Sequence, residues 1–195
     1  MTSPSETERS DLRHSAVLDA AVGVFARYGY RKASMDEVAR AAGVSRQGLY
    51  LQFANKEELF RRALEHSLAR QLGAATAALS RPGESLESKL VAACDEWSGK
   101  FIGSLGSDAA DLMCASTTLA GTTLAHYEAE FERALARGIA DSSLMGIYSI
   151  AGLTSADVAR VMHATARGFK HSSGSREEFV DSMAAAARML CAGLK

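Results

Sequence analysis

Ser34-Met35-Asp36-Glu37-Val38-Ala39-Arg40-Ala41-Ala42-Gly43-Val44-Ser45-Arg46-Gln47-Gly48-Leu49-Tyr50-Leu51-Gln52-Phe53 is the stretch on which the fold turns. Ser34 and Glu37 stand at the S-x-x-E spacing of a capping box, so a helix starts there and ends at Gly43 after about two turns. Ala39 lies four positions before Gly43. A small side chain there lets two helices cross closely, and a glycine in the turn tolerates the positive φ such a turn needs. Ser45 can cap a second short helix. Val38, Val44 and Leu49 then form a small core between the pair, which leaves Arg46, Gln47 and Tyr50 on the outer face. The spacing predicts a helix-turn-helix over about residues 34–53.

The outward residues carry chemistry suited to DNA. Arg46 can give two hydrogen bonds to a guanine edge and Gln47 can bond bidentately to adenine, while Ser45 and the amides at the helix start favour a phosphate. On the amino-terminal side, Leu18, Ala21, Phe25 and Tyr28 recur at i, i+3, i+7 and i+10, one stripe of an amphipathic helix over about 10–28, and Gly29 follows as its stop. On the other side, Asn55-Lys56-Glu57-Glu58 starts a fourth helix that offers Leu59, Phe60, Ala63, Leu68 and Leu72 for burial before Arg81-Pro82-Gly83 ends it.

The whole string, with Leu49-Tyr50, Phe53 and Lys56-Glu57-Glu58-Leu59 after it and Ala20-Ala21-x-x-x-Phe25-Ala26-x-x-Gly29-Tyr30 before it, resembles the amino-terminal domain of the TetR family of transcriptional repressors. The resemblance covers roughly residues 10–65. It implies a homodimer that binds double-stranded DNA at a palindromic operator and releases it when a small-molecule effector fills the second domain. It also implies roles for matching positions: base reading for Arg46 and Gln47, backbone contact for Tyr50 and Lys56, and a phosphate contact for the Ser34 hydroxyl. Gly48 and Leu51-Gln52 depart from the family pattern. Gln52 stays a candidate contact, and Leu51 suits apolar packing or a thymine methyl.

Composition agrees with a helical chain. Its 195 residues contain 36 alanines against 13 Val and Ile and only two prolines, which reads as all-α. Beyond Pro82 the helical signals run over 85–102, 108–120, 123–141, 154–170 and 176–194, giving roughly nine helices, with 142–153 the segment of weakest pattern and a candidate loop beside a binding cavity. The expected division is a helix-turn-helix DNA-binding domain over 9–56 and a helical effector-binding and dimerisation domain over 57–195, with the helix from Lys56 to Leu79 as connector. No stretch of about 20 apolar residues suggests a membrane span, and the first residues lack the apolar core of a secretory signal, so a cytoplasmic location is expected. The net charge is −1, with +2 in residues 1–62 and −3 in the remainder, which by itself suggests no polyanionic partner.

In the second domain, Trp97, Phe101, Met113, Tyr127, Phe131, Met162, His163 and Phe169 are candidates to line an effector cavity, although residues at helical spacing are more often core. Val158, Val161 and Thr165, with Phe169, and Phe179, Met183, Ala187, Leu190 and Leu194 form two apolar faces. Two such helices from each subunit would make a four-helix dimer interface, with intramolecular packing as the alternative. Three scattered cysteines, Cys94, Cys114 and Cys191, give no disulfide framework or zinc site, and His126 and His163 lack a ligand at i+4, so no metal and no cofactor are expected. Two other functions compete: a constitutive or architectural DNA-binding dimer without a ligand, and a small all-α enzyme. Against the enzyme, the sequence holds no H-E-x-x-H, P-loop or G-x-S-x-G.

Overall fold

The computed structural model describes residues 5–103 and 109–192, and every regular element among them is a helix. They are α1 (Glu6–Lys32), α2 (Met35–Ala42), α3 (Arg46–Gln52), α4 (Lys56–Leu79), α5 (Leu86–Trp97), α6 (Ala109–Ala140), α7 (Met145–Tyr148), α8 (Ser155–Ser172) and α9 (Arg176–Cys191), with 3-10 turns at Gly99–Phe101 and Ser149–Ala151. No helix among the described residues is long and apolar enough to cross a membrane.

The contacts divide the chain into two units, Met1–Ala69 with Leu105–Leu124, and Arg70–Ser104 with Ala125–Lys195. α4 and α6 each continue from one unit into the other. In the first unit α1 is capped by Ser5, whose Oγ accepts from the Glu8 amide while Glu8 reaches back to the Ser5 amide. Its regular turns break at Gly29, with φ 74° and ψ 174°, a conformation open almost only to glycine. Val17, Leu18, Ala21, Val24 and Phe25 of α1 pack with Val38 and Ala39 of α2, Leu49 of α3, Leu59, Phe60 and Ala63 of α4 and Ala115 of α6 into one core. Phe60 sets its ring edge against both Phe25 and Tyr30, each at 5.0 Å between centroids. Arg31 joins α1 to α6: its amide and its Nε both donate to the Asp111 carboxylate at 2.8 Å.

The second unit buries Leu90, Ala93, Cys94 and Trp97 of α5 with Phe131, Leu135 and Ile139 of α6, Val158, Met162 and Ala166 of α8, and Phe179, Met183 and Ala187 of α9. α9 lies along α5 and α8. Gly99 is where the α5 turn meets α9: a Cβ there would come within 2.8 Å of the Phe179 ring. The Arg176 guanidinium closes the same corner with two hydrogen bonds to Asp95, one of 2.9 Å from Nε and one from Nη2.

Three boundaries differ from the sequence reading. The helix expected to run to Ile102 ends at Trp97 and tightens into a 3-10 turn. The two helices expected over 108–120 and 123–141 are one, α6, with a break at Ala120 (φ −143°, ψ 26°). The 142–153 segment is not a plain loop, since α7 and a 3-10 turn occupy it and Tyr148 donates its hydroxyl proton to the Leu190 carbonyl at 2.9 Å.

Candidate nucleic-acid interface

The geometry of α2 and α3 is set by three local devices. Ser34 Oγ accepts from the Glu37 amide at 3.2 Å, and Glu37 Oε2 accepts from both the amide and the hydroxyl of Ser34 at 2.8 Å. These bonds hold the Glu37 carboxyl below its ordinary pKa. Gly43 closes α2 in the left-handed region (φ 67°, ψ 27°), its amide donating to the Ala39 and Arg40 carbonyls. Ser45 Oγ accepts from the Gly48 amide at 3.0 Å and starts α3. A Cβ at Gly48 would come 3.0 Å from that same Oγ, so the residue that lacks a reading side chain is also the one that leaves room for the cap.

Leu49 is fully buried and Phe53 nearly so, which anchors α3 by its inner face. Arg46, Gln47, Tyr50, Leu51 and Gln52 all face outward. Leu51 is 81% exposed, so its own chain covers little of it. Arg46 Nη1 donates to Asp36 Oδ2 at 3.0 Å, and its guanidinium lies 5.6 Å from the Tyr50 ring centroid. Gln52 is tied back: its Oε1 lies 3.1 Å from His14 Nδ1, and its Nε2 donates to the Gly48 carbonyl at 3.4 Å. His14 in turn stacks on Phe53. Neither Asp36 nor His14 is legible as a partner in the sequence, because nothing local signals a pairing across 10 or 38 positions.

Lys56 is engaged within its own chain. Expected on the DNA backbone, its Nζ instead donates to the carbonyls of Tyr30 at 3.0 Å, Arg31 at 3.2 Å and Ala33 at 3.1 Å, and sits 4.6 Å from the Tyr30 ring centroid. An ammonium has three protons, and all three are engaged. A lysine at the first position of α4 opposes that helix's dipole, but its ammonium reaches the negative, carbonyl-rich end of α1, where a cation is favoured. Ser34 and Ser45 likewise have their hydroxyls committed to helix starts.

The candidate effector residues separate. Trp97, Phe131, Met162 and His163 are buried together: the Trp97 and Phe131 rings stack at 4.8 Å, and His163 meets Phe131 edge-on at 5.4 Å. His163 Nδ1 lies 2.8 Å from Glu132 Oε1, while its buried Nε2 has no hydrogen-bond partner. Phe101, Tyr127 and Phe169 are half-buried in the same unit, whereas Met113 is 48% exposed and belongs to the other. The groove of about 520 Å³ in the second unit, lined by Thr76, Leu79, Leu86, Lys89, Arg137 and Asp141 among others, takes in none of these residues. Among the described residues no cluster of three or more His, Cys, Asp or Glu could hold a metal ion.

The expected dimer faces are corrected in part. Val158, Phe179, Met183 and Ala187 are buried within their own chain, so they belong to its core and cannot meet a second copy. Val161 is exposed, Thr165 and Leu190 are half-buried, and Leu194 lies outside the described residues. The exposed row on α8 is Val161, Ala164 and Gly168, and on α9 Ala185 and Met189; at about 100° per residue the first lies about 70° round its helix from the expected face and the second about 140°.

Residues 17–63 match the sequence family described as bacterial regulatory proteins, tetR family. A 67-residue stretch is 43% identical to YfiR, an uncharacterized HTH-type transcriptional regulator of Bacillus subtilis, covering 34% of this chain and 33% of that regulator. The chain thus matches only about a third of that relative's length. Over nearly the full chain the likeness is one of fold. A putative TetR-family transcriptional regulator from Rhodococcus sp. superposes with TM-score 0.70 at 22% identity, covering 92% of this chain and 98% of that one. FadR from Bacillus subtilis, solved with stearoyl-CoA, does so with TM-score 0.67 at 17% identity, covering 93% and 100%. Residues 17–63 are thus a helix-turn-helix domain of the kind found in the tetR family of bacterial regulatory proteins, and the rest of the chain shares the fold of the regulators it superposes on.

Proposed function

We propose that the protein is a homodimeric repressor that holds a palindromic operator through α3 and leaves it when a small molecule binds the second unit. The observation that carries the DNA half is the outward row of α3: Arg46, Gln47, Tyr50 and Leu51 are exposed while Leu49 and Phe53 fix the helix from behind. Seven helical residues measure about 10 Å, a length that enters a major groove about 12 Å wide. In this reading Arg46 and Gln47 meet base edges, Leu51 meets a thymine methyl, and Tyr50 reaches the backbone. Ser34, Ser45, Gln52 and Lys56 keep the reading head in shape.

One head offers too small a contact for useful specificity, and a two-fold pair spaced by about 34–36 Å would meet successive turns of one DNA face. The exposed row of Val161, Ala164, Gly168, Ala185 and Met189 is the surface we assign to the second copy, since small residues let helices approach closely. For the effector, support comes from the orphaned Nε2 of His163 among the rings of Trp97 and Phe131, a buried acceptor that a ligand hydroxyl or amide would satisfy. A preference of the effector for one of two arrangements by about 1–3 kcal/mol changes operator affinity about 5- to 150-fold. α4 and α6, which both pass between the units, are the covalent routes for that change.

The test is footprinting on DNA flanking the protein's own coding region, with the oligomeric state measured alongside. A protected inverted repeat bound by a dimer is expected. Failure to retard any duplex at low ionic strength would refute the reading. A Met189→Glu variant should be monomeric and lose the footprint, and a dimer that persists in it would overturn the interface assignment.

A further inference from the structure

We infer that Asp36 is a specificity-determining residue, which holds Arg46 for a guanine edge and keeps it from settling on phosphate. The inference rests on α3 being the helix that enters the groove. Asp36 Oδ2 accepts from Arg46 Nη1 at 3.0 Å, with the two side chains 50% and 65% exposed. An ion pair that wet adds little to stability. Nor does α2 need Asp36 for its cap, since Ser34 and Glu37 complete the box without it. Among the described residues Arg46 is the only hydrogen-bond or ion-pair partner of Asp36.

A carboxylate beside a DNA-reading helix repels phosphate, so its presence weakens binding to every duplex unless it sharpens the choice among them. The chemistry of arginine shows how it can. A free guanidinium on a flexible stem can settle on a phosphate, a contact that carries no sequence information. With Nη1 occupied by Asp36, the Nε and Nη2 protons remain as a parallel fork, the pattern that guanine O6 and N7 accept. The Tyr50 ring beside the guanidinium adds a second restraint. Part of the ordering cost is then met before DNA arrives, and the negative charge next to the fork disfavours phosphate as the competing acceptor.

Full-length Asp36→Asn, Arg46→Ala and the double variant are compared with the parent by selection from random duplexes, then by titration at fixed salt against the selected site and its single-base substitutions. Asp36→Asn is expected to bind unrelated DNA more tightly and to lose about tenfold of the discrimination at one base pair, the one that Arg46→Ala also relaxes. The double variant should discriminate there no worse than Arg46→Ala alone, and Asp36→Glu, which keeps the charge, should recover most of the preference. Unchanged melting would show that these effects are not unfolding. If Asp36→Asn strengthens all duplexes equally and leaves the preference intact, the carboxylate is only a charge and the inference falls. If Arg46→Ala itself relaxes no base pair, the failure lies earlier, in the base-reading role of Arg46.

Discussion

Replacing Lys56 by Met tests the reading head at its least obvious support. Methionine keeps most of the stem and removes the ammonium, leaving the carbonyls of Tyr30, Arg31 and Ala33 without the donor that now lies 3.0 to 3.2 Å away. A hydrogen bond to a charged group contributes about 1.5–3 kcal/mol net. The Arg31 carbonyl is exposed and water can take over there, whereas the Tyr30 and Ala33 bonds are part-buried. Relief of the unfavourable charge at the start of α4 returns about 0.5 kcal/mol. The two part-buried bonds less that relief give an expected loss of about 2.5–5.5 kcal/mol, or about 5–20 °C in Tm for a chain of this length. Circular dichroism during thermal and urea unfolding reads it. The same variant, titrated with operator DNA below its melting range, should keep the parent's slope of log affinity against log salt, because no phosphate contact has gone. A lysine on the backbone predicts the reverse: stability within about 0.5 kcal/mol of the parent and a slope smaller by about 0.9. That pair of results would refute the clamp.

Gly29 and Gly43 should differ under substitution by alanine. Gly29→Ala forces a conformation nearly closed to side chains and should cost about 2–3 kcal/mol, while Gly43→Ala, in the left-handed region with open space around it, should cost about 1 kcal/mol; reversal of that order in urea unfolding would contradict the two geometries. Asp111 is held below its ordinary pKa, first by the Arg31 amide and then by the guanidinium charge. A carboxylate lowered in the folded state contributes stability that is complete above its unfolded value, about 3.9, and is lost as pH falls through the folded one. Asp111→Asn should accordingly flatten the decline in stability below about pH 4, and an unchanged acid limb would discount the link. Burial pushes the Cys94 thiol up to about 12 and raises Cys191, whereas Cys114 is exposed. A thiol reagent at pH 8 should label Cys114 first and Cys94 only on unfolding, and a fast phase that survives Cys114→Ser would show otherwise.

What the sequence made legible follows the range of the physics involved. The turn between α2 and α3 could be read because its determinants are local: a serine and a glutamate three apart, a glycine at the one left-handed position, and Leu49 at the spacing that buries it. Lys56 was legible only as a cation, because the carbonyls that hold it lie 23 to 26 positions away and any exposed groove would have suited the same charge. The apolar faces of α8 and α9 show a third limit. Burying Phe179 and Met183 lowers free energy equally whether the covering surface is α5 of the same chain or a helix of another, since the hydrophobic effect scales with area and has no direction. Periodicity therefore identifies a face that must be covered and cannot say by what. With α5 and α8 covering it, the surface left for the second copy we propose is the exposed row, where Val161 and Met189 are 61% and 79% exposed. The choice of what covers an apolar face is thus made by packing, which the amphipathic pattern alone does not specify.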